Sequence, residues 1–294
     1  MNKQPTLFRF PGLPGPVQLK NCEALLPIVR DVLRHWNIEE APEPNPQTPI
    51  IELESTAHGF IRRSQWLDKP SRFQDPVDAA CDLIVDLIHA YLAEKPDLLC
   101  LHCAAVQLPQ GLVLFPNTYR SGKSTLSMKL ASEGLRLFSD DVLPLSISDR
   151  KGMALGILPR IRLPLPESAD AGFRTFVDQH RGPANKRYLY GNLPETTLAP
   201  LGETSPIKCI IVLERTADAP PSIDVANKGD ILKNVILRNF ARQGTALNIL
   251  DTLYALVEES ECYTLRYNTL QEATDLLLSR FGSVSESNCA GFGS

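Results

Sequence analysis

The sequence has no apolar run long enough to span a bilayer; the best stretch, residues 83–92, is broken by Asp86 and His89. Its N-terminus, MNKQPTLFRFPG, has no apolar core of the kind a secretory signal carries. Dense basic runs are also missing, Lys186-Arg187 being only a pair, and the formal net charge is -4. A broad nucleic-acid-binding face needs clustered Lys and Arg, so that class is disfavoured. No internal repeat is present. The seven cysteines are odd in number, and no second Cys pair or His cluster follows Cys100 and Cys103 at zinc spacing. In the setting LLCLHCAAV these two are expected to be buried free thiols rather than a redox or metal pair. The expectation is a cytoplasmic protein that engages neither membrane nor nucleic acid.

What is present is an ordinary apolar fraction, 43%, over 294 residues, enough for one large domain or two smaller ones. Short β-like pieces at residues 7–10 and 17–19 precede a helical stretch from Cys22 to Trp36. A proline-rich linker occupies residues 40–46. Two antiparallel strands follow, Pro49 to Ser55 and Gly59 to Trp66, and then a helix from Asp75 to Ala93. Leu98 to Val106 reads as one apolar strand and Gly111 to Phe115 as a second. A loop from Pro116 to Gly122 leads to a helix over residues 123–133, ended by Gly134, and then a strand, Leu135 to Phe138. Arg160 to Pro166 is expected to be extended, and Pro183 to Thr197 a polar loop. A strand, Ile207 to Glu214, two helices, Ile231 to Phe240 and Ala246 to Glu259, a strand, Cys262 to Tyr267, and a helix, Leu270 to Phe281, complete the pattern. Residues 282–294 are expected to form a flexible tail.

The chemistry concentrates around Ser121-Gly122-Lys123-Ser124-Thr125. A phosphate loop works through backbone N–H groups opened by glycine and aimed at phosphate oxygens, helped by the start of the next helix. Lysine reaches the terminal phosphates and the hydroxyl residue holds magnesium. Gly122, Lys123 and Ser124 fit those parts, and the strand–loop–helix context is the one the motif needs. Asn117 stands where the pattern wants a glycine, and Tyr119 and Arg120 crowd the loop. Asn tolerates the left-handed conformation better than most residues. At the end of the next strand, Asp140-Asp141 offers one carboxylate for magnesium and another to take a proton; the competing reading is a turn cap. His102 by itself reads as a core histidine.

Together these elements resemble the catalytic domain of HPr kinase/phosphorylase and its HPr-kinase-like serine kinase relatives. His102 precedes Lys123 by 21 positions and Lys123 precedes Asp140 by 17, as in that family, over an aligned core of about 45 residues. The resemblance implies an α/β (α+β) fold: a phosphoenolpyruvate-carboxykinase-like P-loop domain with a mixed, twisted sheet at residues 96–281, after a smaller α+β domain at 1–95. It also implies ATP, or another nucleoside triphosphate, and Mg2+. Asn117, Ser121, Gly122, Lys123, Ser124 and Thr125 would bind nucleotide, Ser124 and Asp140 the metal, and His102, Asp140, Asp141, Arg160 and Arg162 would serve catalysis. Residues 186–190, KRYLY, are placed to meet the acceptor. That acceptor would be a hydroxyl of a peptide, protein or small molecule, and a homo-oligomer is left open. The segment the family uses for phosphorolysis is not recognisable here, and its N-terminal domain differs from residues 1–95. A relative with another acceptor is therefore expected. A nucleotide-binding module without turnover is the alternative; a carboxykinase-like metabolic enzyme and a P-loop motor fit the spacing and ligands less well.

Overall fold

The structure, a computed structural model, describes residues 5–41, 47–116, 121–240 and 244–282. Asn117, Tyr119, Arg120, most of the proline-rich linker and the tail beyond Gly282 lie outside these residues. The chain is a mixed α/β protein with three mixed or antiparallel sheets.

The first sheet holds β1 (Thr6–Arg9), β2 (Val17–Lys20), β3 (Glu39–Glu40), β4 (Ile51–Thr56), β5 (Gly59–Ser64) and β6 (Ser71–Phe73), in the order β3-β1-β2-β4-β5-β6. Two helices accompany it, α1 (Leu26–Val32) and α2 (Pro76–Ala93). The helix expected over Cys22–Trp36 is shorter, because Pro27 has no N–H to donate and is tolerated only in a first turn. Asp75 caps α2 by accepting from the N–H groups of Val77 and Asp78.

The large sheet contains β7 (Leu98–Leu101), β8 (Ala104–Leu108), β9 (Gly111–Phe115), β10 (Arg136–Ser139), β11 (Leu143–Ser146), β12 (Lys151–Met153), β16 (Thr204–Arg215), β17 (Ser222–Val225) and β18 (Glu261–Tyr267). Its three middle strands, β9, β16 and β18, run parallel. Alternation along them builds two apolar layers. On β9, Val113 and Phe115 join one cluster, with Leu126 and Met128 of α3 (Lys123–Ser132) and Ala273 and Leu277 of α7 (Leu270–Phe281). Leu112 and Leu114 join the other, with Val235 of α5 (Lys228–Arg238) and Leu253 and Leu256 of α6 (Ala246–Glu259). A period of two on a strand covered on both faces produces this sandwich.

Several expectations are corrected. Leu98–Val106 is not one strand: the chain breaks at His102-Cys103, so that β7 pairs with β11 while β8 pairs with β9 and β10. Residues 183–197, expected as a loop, contribute to a three-stranded sheet of β13 (Arg160–Arg162), β15 (Tyr188–Gly191) and β14 (Arg181–Ala184). There Leu189 is fully buried behind polar neighbours. Helix α4 (Ala171–Gln179) and strand β17 have no counterpart in the sequence expectations. α4 buries only Phe173 and Val177, too few positions to mark a helical face.

A buried ion cluster joins α2 to the first sheet. Arg62 of β5 is 3% exposed, and its guanidinium lies 2.8 Å from both Asp82 and Asp86 of α2. Burial raises the carboxyl pKa of both aspartates, with Arg62 opposing the rise. Arg62→Met therefore strands two partly desolvated carboxylates and should cost about 3–5 kcal/mol at neutral pH in denaturant unfolding. The variant should recover part of that loss as pH falls from 7 toward 5. A carboxyl with a raised folded-state pKa adds stability at low pH and loses it as pH rises.

Candidate functional site

The parallel strands β9, β16 and β18 all end at the same edge of the large sheet, where open α/β sheets bind ligands. After β9, α3 begins at Lys123 directly behind Gly122, whose φ of +91° is left-handed and favours glycine. No side chain caps α3, so the N–H groups of its first turn remain available to an anion. Ser121 Oγ is buried there with no hydrogen-bond partner among the described residues. Lys123 is 5% exposed, and burial lowers its pKa, with Asp141, Cys103 and Asp140 opposing.

His102 occupies the break between β7 and β8. Its N–H donates to the carbonyl of Arg238 at the end of α5 (2.8 Å), and Phe240 donates to the carbonyl of Cys100 (3.0 Å). The crossing segment thus takes ladder positions that a continuous strand would use. The imidazole then projects among the charges: Nε2 lies 3.5 Å from Lys123 Nζ and 3.4 Å from Asp141 Oδ1. One ring nitrogen cannot accept from the lysine and donate to the carboxylate at once, so its tautomer follows what binds beside it. Burial lowers the His102 pKa; Asp141 opposes, and Lys123 and Arg238 add to the lowering.

The aspartates follow β10 in a turn fixed to β8. Ser139 Oγ donates to the carbonyl of Cys103 (3.0 Å) and accepts from the N–H of Asp141 (3.1 Å). Asp140 Oδ2 accepts from the backbone N–H of Arg160 (3.0 Å), and Ser124 Oγ donates to the Asp140 carbonyl (3.4 Å). Burial, and then the negative charge of Asp141, pushes the Asp140 carboxyl up to about 7. A desolvated carboxylate beside a hydroxyl is a donor set suited to a hard, oxygen-seeking cation. Among the described residues no group of three or more His, Cys, Asp or Glu could hold a metal. Two protein oxygens suffice for Mg2+, which keeps waters and binds substrate phosphates.

Arg160 and Arg162 alternate on β13 and flank Tyr188 of β15, their guanidinium carbons 4.7 and 5.7 Å from its ring centre. Arg160 also donates to the Cys81 sulfur. A cavity of about 530 Å³ opens among these groups. His102, Ser121 to Thr125, Asp141, Arg160 and Arg162 all line it, whereas Asp140 lies in the wall of a smaller neighbouring cavity. Of KRYLY, Tyr188 reaches the large cavity, while Arg187 turns to Asp78 of α2 (2.6 Å). Cys100 and Cys103 are buried and free, and burial raises both thiol pKa values. Leu213, Arg215, Tyr267 and Leu270 also line it, without any motif to mark them. Their one signal is position, at or just beyond the ends of the parallel strands beside β9.

No family model matches the sequence, and no curated protein matches it. Among solved structures, the Hpr(Ser) kinase/phosphatase from Coxiella burnetii aligns with 12% identity over 62% of this chain and 95% of that chain, at a TM-score of 0.30. So loose a superposition carries no argument, and the weight falls on the side chains above. No helix among the described residues is long and apolar enough to cross a membrane.

The raised Asp140 pKa has a measurable consequence. Between about 3.8 and about 7 the folded state holds this proton more tightly than the unfolded state, so the ligand-free protein loses stability as pH rises through that window. Asp140→Asn keeps an oxygen for the Arg160 N–H and removes the charge. It should melt at a higher temperature than the parent at pH 8, and the gap should close as pH falls toward 4.

Proposed function

We propose that the protein is a magnesium-dependent phosphotransferase that moves the γ-phosphoryl group of ATP, or another nucleoside triphosphate, to a hydroxyl. The observation that carries this reading is His102 Nε2 lying 3.5 Å from Lys123 Nζ and 3.4 Å from Asp141 Oδ1 at the uncapped start of α3. A buried ammonium to neutralise phosphate and a carboxylate to take a proton, at one helix N-terminus, suit phosphoryl transfer.

Ser121 to Thr125 receive the phosphates on backbone N–H groups. Lys123 neutralises the β- and γ-phosphates, whose charge restores the lysine's pKa. Ser124 and Asp140 hold Mg2+, which when bound draws charge from the phosphate oxygens. Asp141 orients the acceptor hydroxyl and takes its proton, with His102 as hydrogen-bond partner. The bond between the γ-phosphorus and its bridging oxygen breaks as the acceptor oxygen bonds to phosphorus; the nucleoside diphosphate keeps that electron pair. Arg160 and Arg162 face the transferring group. The acceptor is a hydroxyl of a peptide, protein or small molecule.

Two substitutions separate binding from chemistry. Lys123→Ala should weaken Mg·ATP binding about 10- to 100-fold, the worth of a charge-assisted contact. Asp141→Asn should retain ATP affinity while transfer of labelled phosphate falls about 100- to 10,000-fold, as loss of a general base requires. Undiminished turnover in Asp141→Asn would refute the role given to that carboxylate. ATP binding by the parent protein with neither transfer nor hydrolysis would instead leave a nucleotide-binding module.

A further inference from the structure

The large cavity is not the whole of the site. A second cavity, about 80 Å³, lies between α2 and the residues after β10. Asp141 and Arg160 line both cavities, so the two meet at these side chains. Their chemistry differs sharply. The wall of the small cavity is aliphatic: Ile84, Val85 and Ile88 from α2 face Leu155, Ile157 and Leu158. Its polar end carries Asp140 and Asp141, while its one cation, Arg160, is already engaged with Cys81 and the Tyr188 ring. Burial holds the Cys81 thiol and the Tyr190 phenol neutral. An aliphatic wall strips a phosphate of water without offering it a partner, so the nucleotide's charged portion belongs in the large cavity. What the small cavity can desolvate at a profit is an uncharged hydrocarbon group.

We infer that this cavity seats the acceptor: a molecule whose hydroxyl is presented to Asp141 and whose adjoining small branched aliphatic group fills the space behind it. The inference rests on the phosphotransferase reading above. The step it serves is the same: the acceptor oxygen bonds to the γ-phosphorus, its proton passes to Asp141, and the nucleoside diphosphate leaves. The volume accommodates a side chain of about valine or leucine size, since a single water needs only about 10–15 Å³ of such space. The aliphatic group could be a peptide residue next to serine or part of a small alcohol; both present the same chemistry.

The test uses the intact protein, Mg2+ and labelled ATP with two acceptor series. One is a set of pentapeptides with a single serine followed by Gly, Ala, Val, Leu, Lys or Glu. The other pairs 3-methyl-1-butanol with ethanolamine. Transfer to the Val or Leu peptides, or to the branched alcohol, should exceed that to the Gly, Lys and Glu peptides or ethanolamine by about 10- to 100-fold in kcat/KM. Val85 lines the small cavity and is 45% exposed, so it can change without disturbing the core. Val85→Trp, which adds bulk, and Val85→Ser, which removes apolar surface without adding bulk, should both abolish the preference. ATP affinity by calorimetry should stay at the parent value in each. If ATP binds but transfer shows no aliphatic preference, reaches none of these acceptors, or keeps its preference in both Val85 variants, the inference is overturned and the phosphotransferase reading stands on its own tests. Failure of the parent to bind ATP removes both.

Discussion

The interruption of the strand at His102 is the constraint on which the site depends. Residues 98–108 are apolar enough to run as one strand, yet the end of α5 crosses them and its Arg238 carbonyl takes the His102 N–H. Two strands result, held in different parts of the large sheet: β7 against β11, and β8 against β9 and β10. The break frees one residue from the ladder, and that residue carries an imidazole toward Lys123 and Asp141. β8 then fixes both neighbours. Its hairpin with β9 aims the chain into α3, and the Cys103 carbonyl binds Ser139, setting the turn that holds the aspartates.

Around that break, burial works against three groups at once. It lowers the pKa of Lys123 and His102 and raises that of Asp140. Each shift marks a group whose charged form is under-solvated and gains by meeting an opposite charge. On the proposed reading, a polyphosphate and a divalent cation would supply those charges as a pair, one for the lysine and helix start, the other for the carboxylate. A site so arranged would need little reorganisation to take them.

Much of this layout is legible in the sequence, for a physical reason in each case. The turn from β9 into α3 declares itself because glycine sits comfortably at the +91° of residue 122 and because an apolar strand precedes it. The bounds of α6 and α7 are clear because Thr245 and Thr269 cap them ahead of periodic apolar faces. The strand break is hidden, since what interrupts the apolar run is the distant segment around Arg238. Strands β14 and β15 are hidden as well: they are four residues each, RGPA and YLYG, set in a polar stretch, and gain their pairing from tertiary context. Arg215 and Tyr267 lie far from the loop in sequence and reach it only through the parallel pairing of β16 with β9 and β18.

The central claim is that one buried site takes a nucleotide's phosphates and a magnesium ion together. Calorimetric titration of the protein with ATP at pH 7.5, with Mg2+ and with EDTA in its place, tests it most directly. Binding should require Mg2+, because Asp140 and the phosphates meet without repulsion only when a cation lies between them. Binding of equal strength in EDTA would contradict the account.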